Sequence, residues 1–252
     1  MSKRKLSVLL CLALLVAAAL PAVCFAGPEE PLQFVVDSVT YLDNQTKLEV
    51  NGHYVNVSNK VVTDVTETYL EVYADGQLLA KGTYPKTIAG NLSITIGNAK
   101  KTQIIMEAPT QWLKLNNITT VTKPVFNTEA PQTLPQGKKV YYNGSPVEFD
   151  VKPAVINGRL MVPARATFEK MNARVDWNAD SRTITVTKGT DTVILTIGND
   201  LMMANGKPIK LDAPAQILEG RTVVPLRAIS AALGDKVLYG AENEMAVIYS
   251  LQ

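Results

Sequence analysis

The chain has 252 residues, 25 Lys and Arg against 23 Asp and Glu, a formal net charge of +2, one histidine and two cysteines, Cys11 and Cys24. That near-neutral balance lacks the basic excess of a general nucleic-acid or polyanion binder. A lone imidazole, His53, excludes any metal site built on several histidines.

Lys3, Arg4 and Lys5 precede an apolar run from Leu6 to Leu20, followed by Pro21-Ala22-Val23-Cys24-Phe25-Ala26-Gly27. This is the layout of a secretory signal peptide over residues 1–26, with Ala26 as the small residue before cleavage. The apolar run is short for a membrane span. Removing the leader takes away three positive charges and no negative one, so +2 becomes −1. Both cysteines leave with it, and the mature chain then has no disulfide, thiol nucleophile or thiolate metal site. Lipidation at Cys24 competes, with Leu20 upstream, although Val23 is a poor residue before a lipidated cysteine. The expected location is secreted, extracellular or wall-associated, with no transmembrane segment in the mature chain.

Residues 31–122 alternate apolar and polar side chains in short runs. Phe34–Val39, Leu48–Val55, Tyr69–Tyr73 and Leu92–Ile96 read as strands, broken at Asp43-Asn44, Ser58-Asn59, Asp75-Gly76 and Gly97-Asn98. Asp-Gly between apolar runs is a strong hairpin signal. Regular short strands without a helical period predict a β-sandwich. The segments Gly52–Asn59 and Ala74–Ala80 resemble small β-sandwich modules of bacterial surface proteins. From 123 to 137, Lys123-Pro124 and Ala130-Pro131-Gln132-Thr133-Leu134-Pro135-Gln136-Gly137 predict an extended connector.

From 138 to 252 the chain repeats itself. Leu160-Met161-Val162-Pro163-Ala164-Arg165-Ala166 returns as Thr222-Val223-Val224-Pro225-Leu226-Arg227-Ala228, an offset of 62 that also carries Asn143-Gly144 onto Asn205-Gly206, Asp150 onto Asp212, and Gly158-Arg159 onto Gly220-Arg221. Two internal repeats, about 139–189 and 201–250, follow. Each reads as a strand, an Asn-Gly turn, a second strand, a Gly-Arg turn, a helix begun at Pro163 or Pro225, and a hairpin. Ala164, Phe168 and Met171 make one apolar stripe, and Leu226, Ser230 and Leu233 the other, with Ile229 and Ala232 beside them. Asn172 and Gly234 stand where each helix stops, the two residue types that best tolerate a left-handed cap. An extra strand, Thr192–Ile197, joins the repeats. The fold class is therefore α+β and all-β: a β-sandwich followed by a duplicated antiparallel sheet-plus-helix domain.

The phrases Asn143-Gly144, Asn157-Gly158-Arg159-Leu160-Met161-Val162-Pro163-Ala164-Arg165, Val175-Asp176-Trp177-Asn178 and Thr183-Ile184-Thr185-Val186 resemble the copper amine oxidase N-terminal-like, or stalk, domain over about residues 138–250. Such modules are frequent in exported proteins of Gram-positive, spore-forming bacteria. The resemblance implies an accessory region with no catalysis of its own. Copper amine oxidation is not expected, since this chain has one histidine and no Asn-Tyr dipeptide for a quinone cofactor.

No cofactor or metal is expected. Asp176-Trp177-Asn178-Ala179-Asp180 opens like a calcium loop, but Ser181 and Thr187 stand where glycine and glutamate belong, so it reads as a hairpin turn. His53 reads as an ordinary strand residue. Arg165 and Arg227, one turn into each helix, read as structural, with Asp150 and Asp212 of their own units as partners. Pro163, Arg165, Pro225 and Arg227 thus form the repeat signature. Trp112, Trp177 and Tyr239 are the candidate ligand-stacking aromatics, although core is the favoured reading for Trp177, whose partner position Tyr239 is also aromatic.

The function these readings support is non-enzymatic: a binding or scaffolding component of the cell envelope, for wall glycan or another surface protein. An accessory or inhibitory partner of an exported enzyme, or a carboxylate-dependent hydrolase, stays open. No catalytic motif appears. The sequence leaves ligand and oligomeric state undetermined.

Overall fold

The computed structural model describes residues 32–42, 46–85, 93–107 and 114–251. The leader with Cys11, Cys24 and Ala26 lies outside these residues, as does Trp112. Among the described residues the chain is strongly β-rich, with two short helices.

The first part is two three-stranded antiparallel sheets. β1 (Leu32–Leu42), β2 (Lys47–Asn56) and β5 (Ala99–Glu107) form one; β4 (Gln77–Pro85), β3 (Val62–Ala74) and β6 (Thr119–Thr128) form the other. Asp75 and Gly76 both have positive φ, 48° and 78°, closing the β3–β4 hairpin with the two-residue turn that suits strand twist. Alternate residues of both sheets, among them Phe34, Leu48, Val50, Leu70, Val72 and Ile104, meet in one buried cluster. β4, β5 and β6 add to the strands expected from alternation. The run at 92–96 falls partly outside the described residues, and Ile94 within it makes an isolated bridge to Val62.

β6 continues through Lys123-Pro124, where the connector was expected to begin. Pro124 stands opposite Thr68 on an edge strand, where a missing N–H leaves no ladder bond unmade if it faces outward. The irregular stretch follows Thr128 and is tied back: Glu129 and Gln132 donate their amides to the carbonyls of Val61 and Asn59 at 2.9 and 2.7 Å.

The remaining elements, in order, are β7 (Lys139–Tyr142), β8 (Ser145–Pro146), β9 (Ala154–Ile156), β10 (Arg159–Pro163), α1 (Ala164–Lys170), β11 (Arg174–Asn178), β12 (Thr183–Lys188), β13 (Asp191–Thr196), β14 (Leu201–Ala204), β15 (Lys207–Lys210), β16 (Gln216–Leu218), β17 (Arg221–Pro225), α2 (Leu226–Ala232), β18 (Asp235–Gly240) and β19 (Met245–Ser250). Pro163 and Pro225 cap the helices from outside with extended ψ of 117° and 110° rather than occupying the first helical position. Asn172 and Gly234, at φ 59° and 78°, take the left-handed conformation just past each end. Asn143-Gly144, Asn157-Gly158, Asn205-Gly206 and Glu219-Gly220 all have positive φ and close two-residue hairpins.

Strand pairing crosses the chain order. β18-β19-β7-β8 make one sheet, with β19 and β7 parallel, so the opening hairpin of this part pairs with its last. β11-β12-β13-β14-β15 make a second sheet, and β16-β17-β10-β9 a third. Phe168 and Ile229 of the helices, with Met171 and Leu233 capping their C-terminal ends, bury against strand residues from all three. β19 is covered on both faces: Ala246 and Ile248 face this core, while Met245, Val247 and Tyr249 join Val55, Val57, Ile96 and Tyr141 in a cluster that welds the two parts together. That explains its unbroken apolar run.

Candidate functional site

β10 and β17 run antiparallel with Val162 opposite Val224 and Pro163 opposite Val223, so the two Val-Pro phrases meet head to tail. One helix leaves from each end of this pair. The pairing also throws each Gly-Arg turn across to the other phrase. Arg221 donates from Nε and Nη2 to Asp150, both at 2.6 Å, and Arg159 donates to Asp212 at 2.7 and 2.5 Å. Asp150 and Asp212 therefore pair with these arginines, and not with Arg165 and Arg227 of their own phrases. Arg165 instead lies 3.9 Å from Glu169, and Arg227 is exposed.

A groove opens beside each crossed pair. The first, of about 820 Å³, is lined by Glu148, Asp150, Arg165, Trp177, Ile217 and Arg221, with Ile184 and Glu169 also on its walls. The second, of about 540 Å³, is lined by Lys210, Asp212, Arg227, Tyr239, Val155 and Arg159, with Ala246 in the place of Ile184. Every residue lining the first groove except Glu169 has its counterpart, 62 positions away, in the second. The Arg221 hydrogen bond, against a smaller opposing effect of desolvation, holds the Asp150 carboxyl below the ordinary carboxylate range, and the same contact raises the Arg221 guanidinium. Asp150 is thus kept ionised, the opposite of what a proton donor in a cleft needs.

Trp177 belongs to this groove and not to the core: it is 42% exposed. Alternation does set it on the same face of β11 as buried Val175, opposite buried Ile184. The core stops at Ile184, and the indole projects over the groove mouth. Tyr239, opposite Ala246, is half-buried in the matching place. Crossed pairing of Arg159 and Arg221 escaped the sequence reading, although both stand in the 62-residue register.

His53 is a strand residue of β2, as expected, and is buried there. Its Nδ1 lies 2.5 Å from Asp37 Oδ2, and its ring packs against Tyr249. The calcium-like stretch is a turn: Asp176 takes Arg174 at 2.8 Å, and Asn178 accepts the amide of Ser181 at 3.0 Å. Among the described residues no helix is long and apolar enough to cross a membrane.

Residues 141–248 match the family model of the copper amine oxidase N-terminal domain. It is a non-catalytic, stalk-type domain, compatible with a binding or accessory module. A search of curated proteins gives no match to the chain.

Proposed function

We infer that the protein is an exported, non-catalytic component of the cell envelope that binds a wall glycan, and that its C-terminal part is two copies of one sheet-plus-helix unit. The observation that carries this reading is the Trp177 groove. An indole 42% exposed stands beside Ile217, 49% exposed, with the Arg221–Asp150 pair fixed at the rim. An exposed aromatic face next to hydrogen-bonding side chains suits a sugar ring, whose C–H face stacks while its hydroxyls find donors and acceptors. The basic-apolar leader supports export, and the family match supports a role without catalysis.

The test is a pull-down of the chain from Gly27 onward on purified cell-wall polysaccharide, with calorimetry on soluble neutral fragments. Trp177→Ala is expected to weaken binding at least about tenfold, the loss of one stacking contact. Equal retention of wild type and W177A, with both folded, overturns the glycan reading.

Docking to a surface protein is the second reading. Leu78, Val121 and Val125, 41 to 51% exposed, share the β3–β4–β6 sheet with half-buried Tyr69 and Tyr73, whose hydroxyls both donate to Glu71. Cross-linking of the exported chain on intact cells, lost on V121D/V125D, would support it.

A further inference from the structure

The two grooves share one backbone plan and carry opposite charge. In the first, Arg165 and Arg221 sit among Glu148, Asp150 and Glu169. In the second, Arg159, Lys210 and Arg227 sit with Asp212. Register isolates the cause: Glu148 is matched by Lys210, and Glu169 by Ala231. With Ala231 in that place, Arg227 lacks the carboxylate four residues on that Arg165 keeps at 3.9 Å. Arg159 is neutralised by Asp212, and Lys210, 79% exposed, has Asp200 at 3.8 Å, a contact as loose as Arg165–Glu169 but with a carboxylate that does not line the groove. Arg227 and Lys210 therefore present positive charge to a groove whose apolar wall is Val155 and Tyr239. The whole-chain balance hides this, because the first groove has the opposite excess.

We propose that the Tyr239 groove is an anion subsite, taking a carboxylate- or phosphate-bearing sugar residue with its ring against Tyr239 and its charge between Arg227 and Lys210, while the Trp177 groove takes a neutral one. This rests on the saccharide reading above and adds the chemical class of the second residue bound. Arginine's planar fork matches either oxyanion, so the chemistry shared by uronate and phosphodiester polymers is what the site selects.

The experiment is calorimetry of the full exported chain with three probes: oligogalacturonate, a glycerol phosphate oligomer and a neutral β-glucan oligosaccharide, each at low and physiological salt. At least one anionic probe is expected to bind, more weakly as salt rises. K210E/R227E is expected to lower that affinity by about a hundredfold, roughly tenfold for each charge-assisted contact, and to leave the neutral probe unchanged. E148K/E169A, which copies the second groove's charges into the first, is expected to raise the anion stoichiometry from one site to two. That gain does not depend on how the loss variant folds. The anionic probe that binds identifies carboxylate or phosphate. No anionic binding, or binding indifferent to K210E/R227E, overturns the proposal. Anionic binding lost in K210E/R227E, with no neutral binding at all, would leave this site standing and sink the Trp177 reading alone.

Discussion

Arg221 places Nε and Nη2 on one carboxylate, Asp150, at 2.6 Å, from a turn 71 residues away. The crossing ties the two Val-Pro phrases at their rims, where Val162 and Val224 tie them at the centre. Both partners are more than half exposed, so screening keeps the contribution small. Its sign is definite. The Asp150 pKa is below its ordinary 3.8 in the folded chain, so the stabilisation is present above that value and lost as pH falls through the folded one. Urea midpoints of R221A are expected to lie below wild type at neutral pH and to converge with it in acid; a gap that persists in acid would assign the loss to packing.

Gly97 has φ of 70°, and a Cβ built there would stand 2.2 Å from Tyr141 Cγ. This contact lies in the cluster joining the two parts, and the amide of Gly144 donates to the Gly97 carbonyl at 3.0 Å. G97A is expected to cost about 3 kcal/mol, combining left-handed strain with overpacking. Because the clash is with one ring, G97A/Y141A should lose less than the sum of the single changes, which a double-mutant cycle by denaturant unfolding measures.

What the sequence showed well is what is encoded locally. Asn143-Gly144 and Asn205-Gly206 specify positive φ by themselves, and Asn172 and Gly234 close helices by the same chemistry. Pairings across distance were hidden. An offset of 62 relates Arg159 to Arg221 without saying whether each meets the nearer or the farther aspartate, and nothing local sets β19 parallel to β7. Pro124 looked like a breaker because edge position cannot be read from a single strand. Trp177 followed its alternation correctly, yet only the end of the core beyond Ile184 decides that it is exposed.

The helices fill one core with complementary pairs. Where α1 has Ala164 and Phe168, α2 has Leu226 and Ser230, so the large and small side chains exchange positions. Phe168 is fully buried, and F168A is expected to cost about 4 kcal/mol as lost transfer plus cavity. Ser230 Oγ is buried without a hydrogen-bond partner among the described residues, whereas Thr167 donates to the Pro163 carbonyl at 2.9 Å. S230A is therefore expected to stabilise the protein by about 1 kcal/mol by removing an unsatisfied hydroxyl. Thermal and urea unfolding measure both, and a destabilised S230A would show that the hydroxyl has a partner, such as a buried water.

Asp37 is the fastening between the two parts. It sits where the β1–β2 register shifts, between Val36 and Ser38, as the extra residue of a bulge that re-aims a side chain. One oxygen meets His53 Nδ1 at 2.5 Å and the other accepts Lys236 Nζ of β18 at 2.6 Å. Burial alone would raise this carboxyl, but hydrogen bonds from His53 and Lys236 together outweigh it and leave the pKa below 3.8. The stabilisation is thus present above about that value and lost as pH falls through the folded one. D37A leaves His53 and the Lys236 ammonium facing a largely buried gap, and is expected to cost about 2 kcal/mol at neutral pH, below the range for a fully buried pair because Lys236 still reaches water. Since the contact spans the join, its loss should also expose the stretch after Thr128 to protease before either part unfolds. Urea unfolding at neutral and acid pH, run beside limited proteolysis, separates these effects. A D37A chain that keeps the wild-type cleavage rate would mean that the cluster of Val57, Tyr141, Val247 and Tyr249 holds the parts together without it.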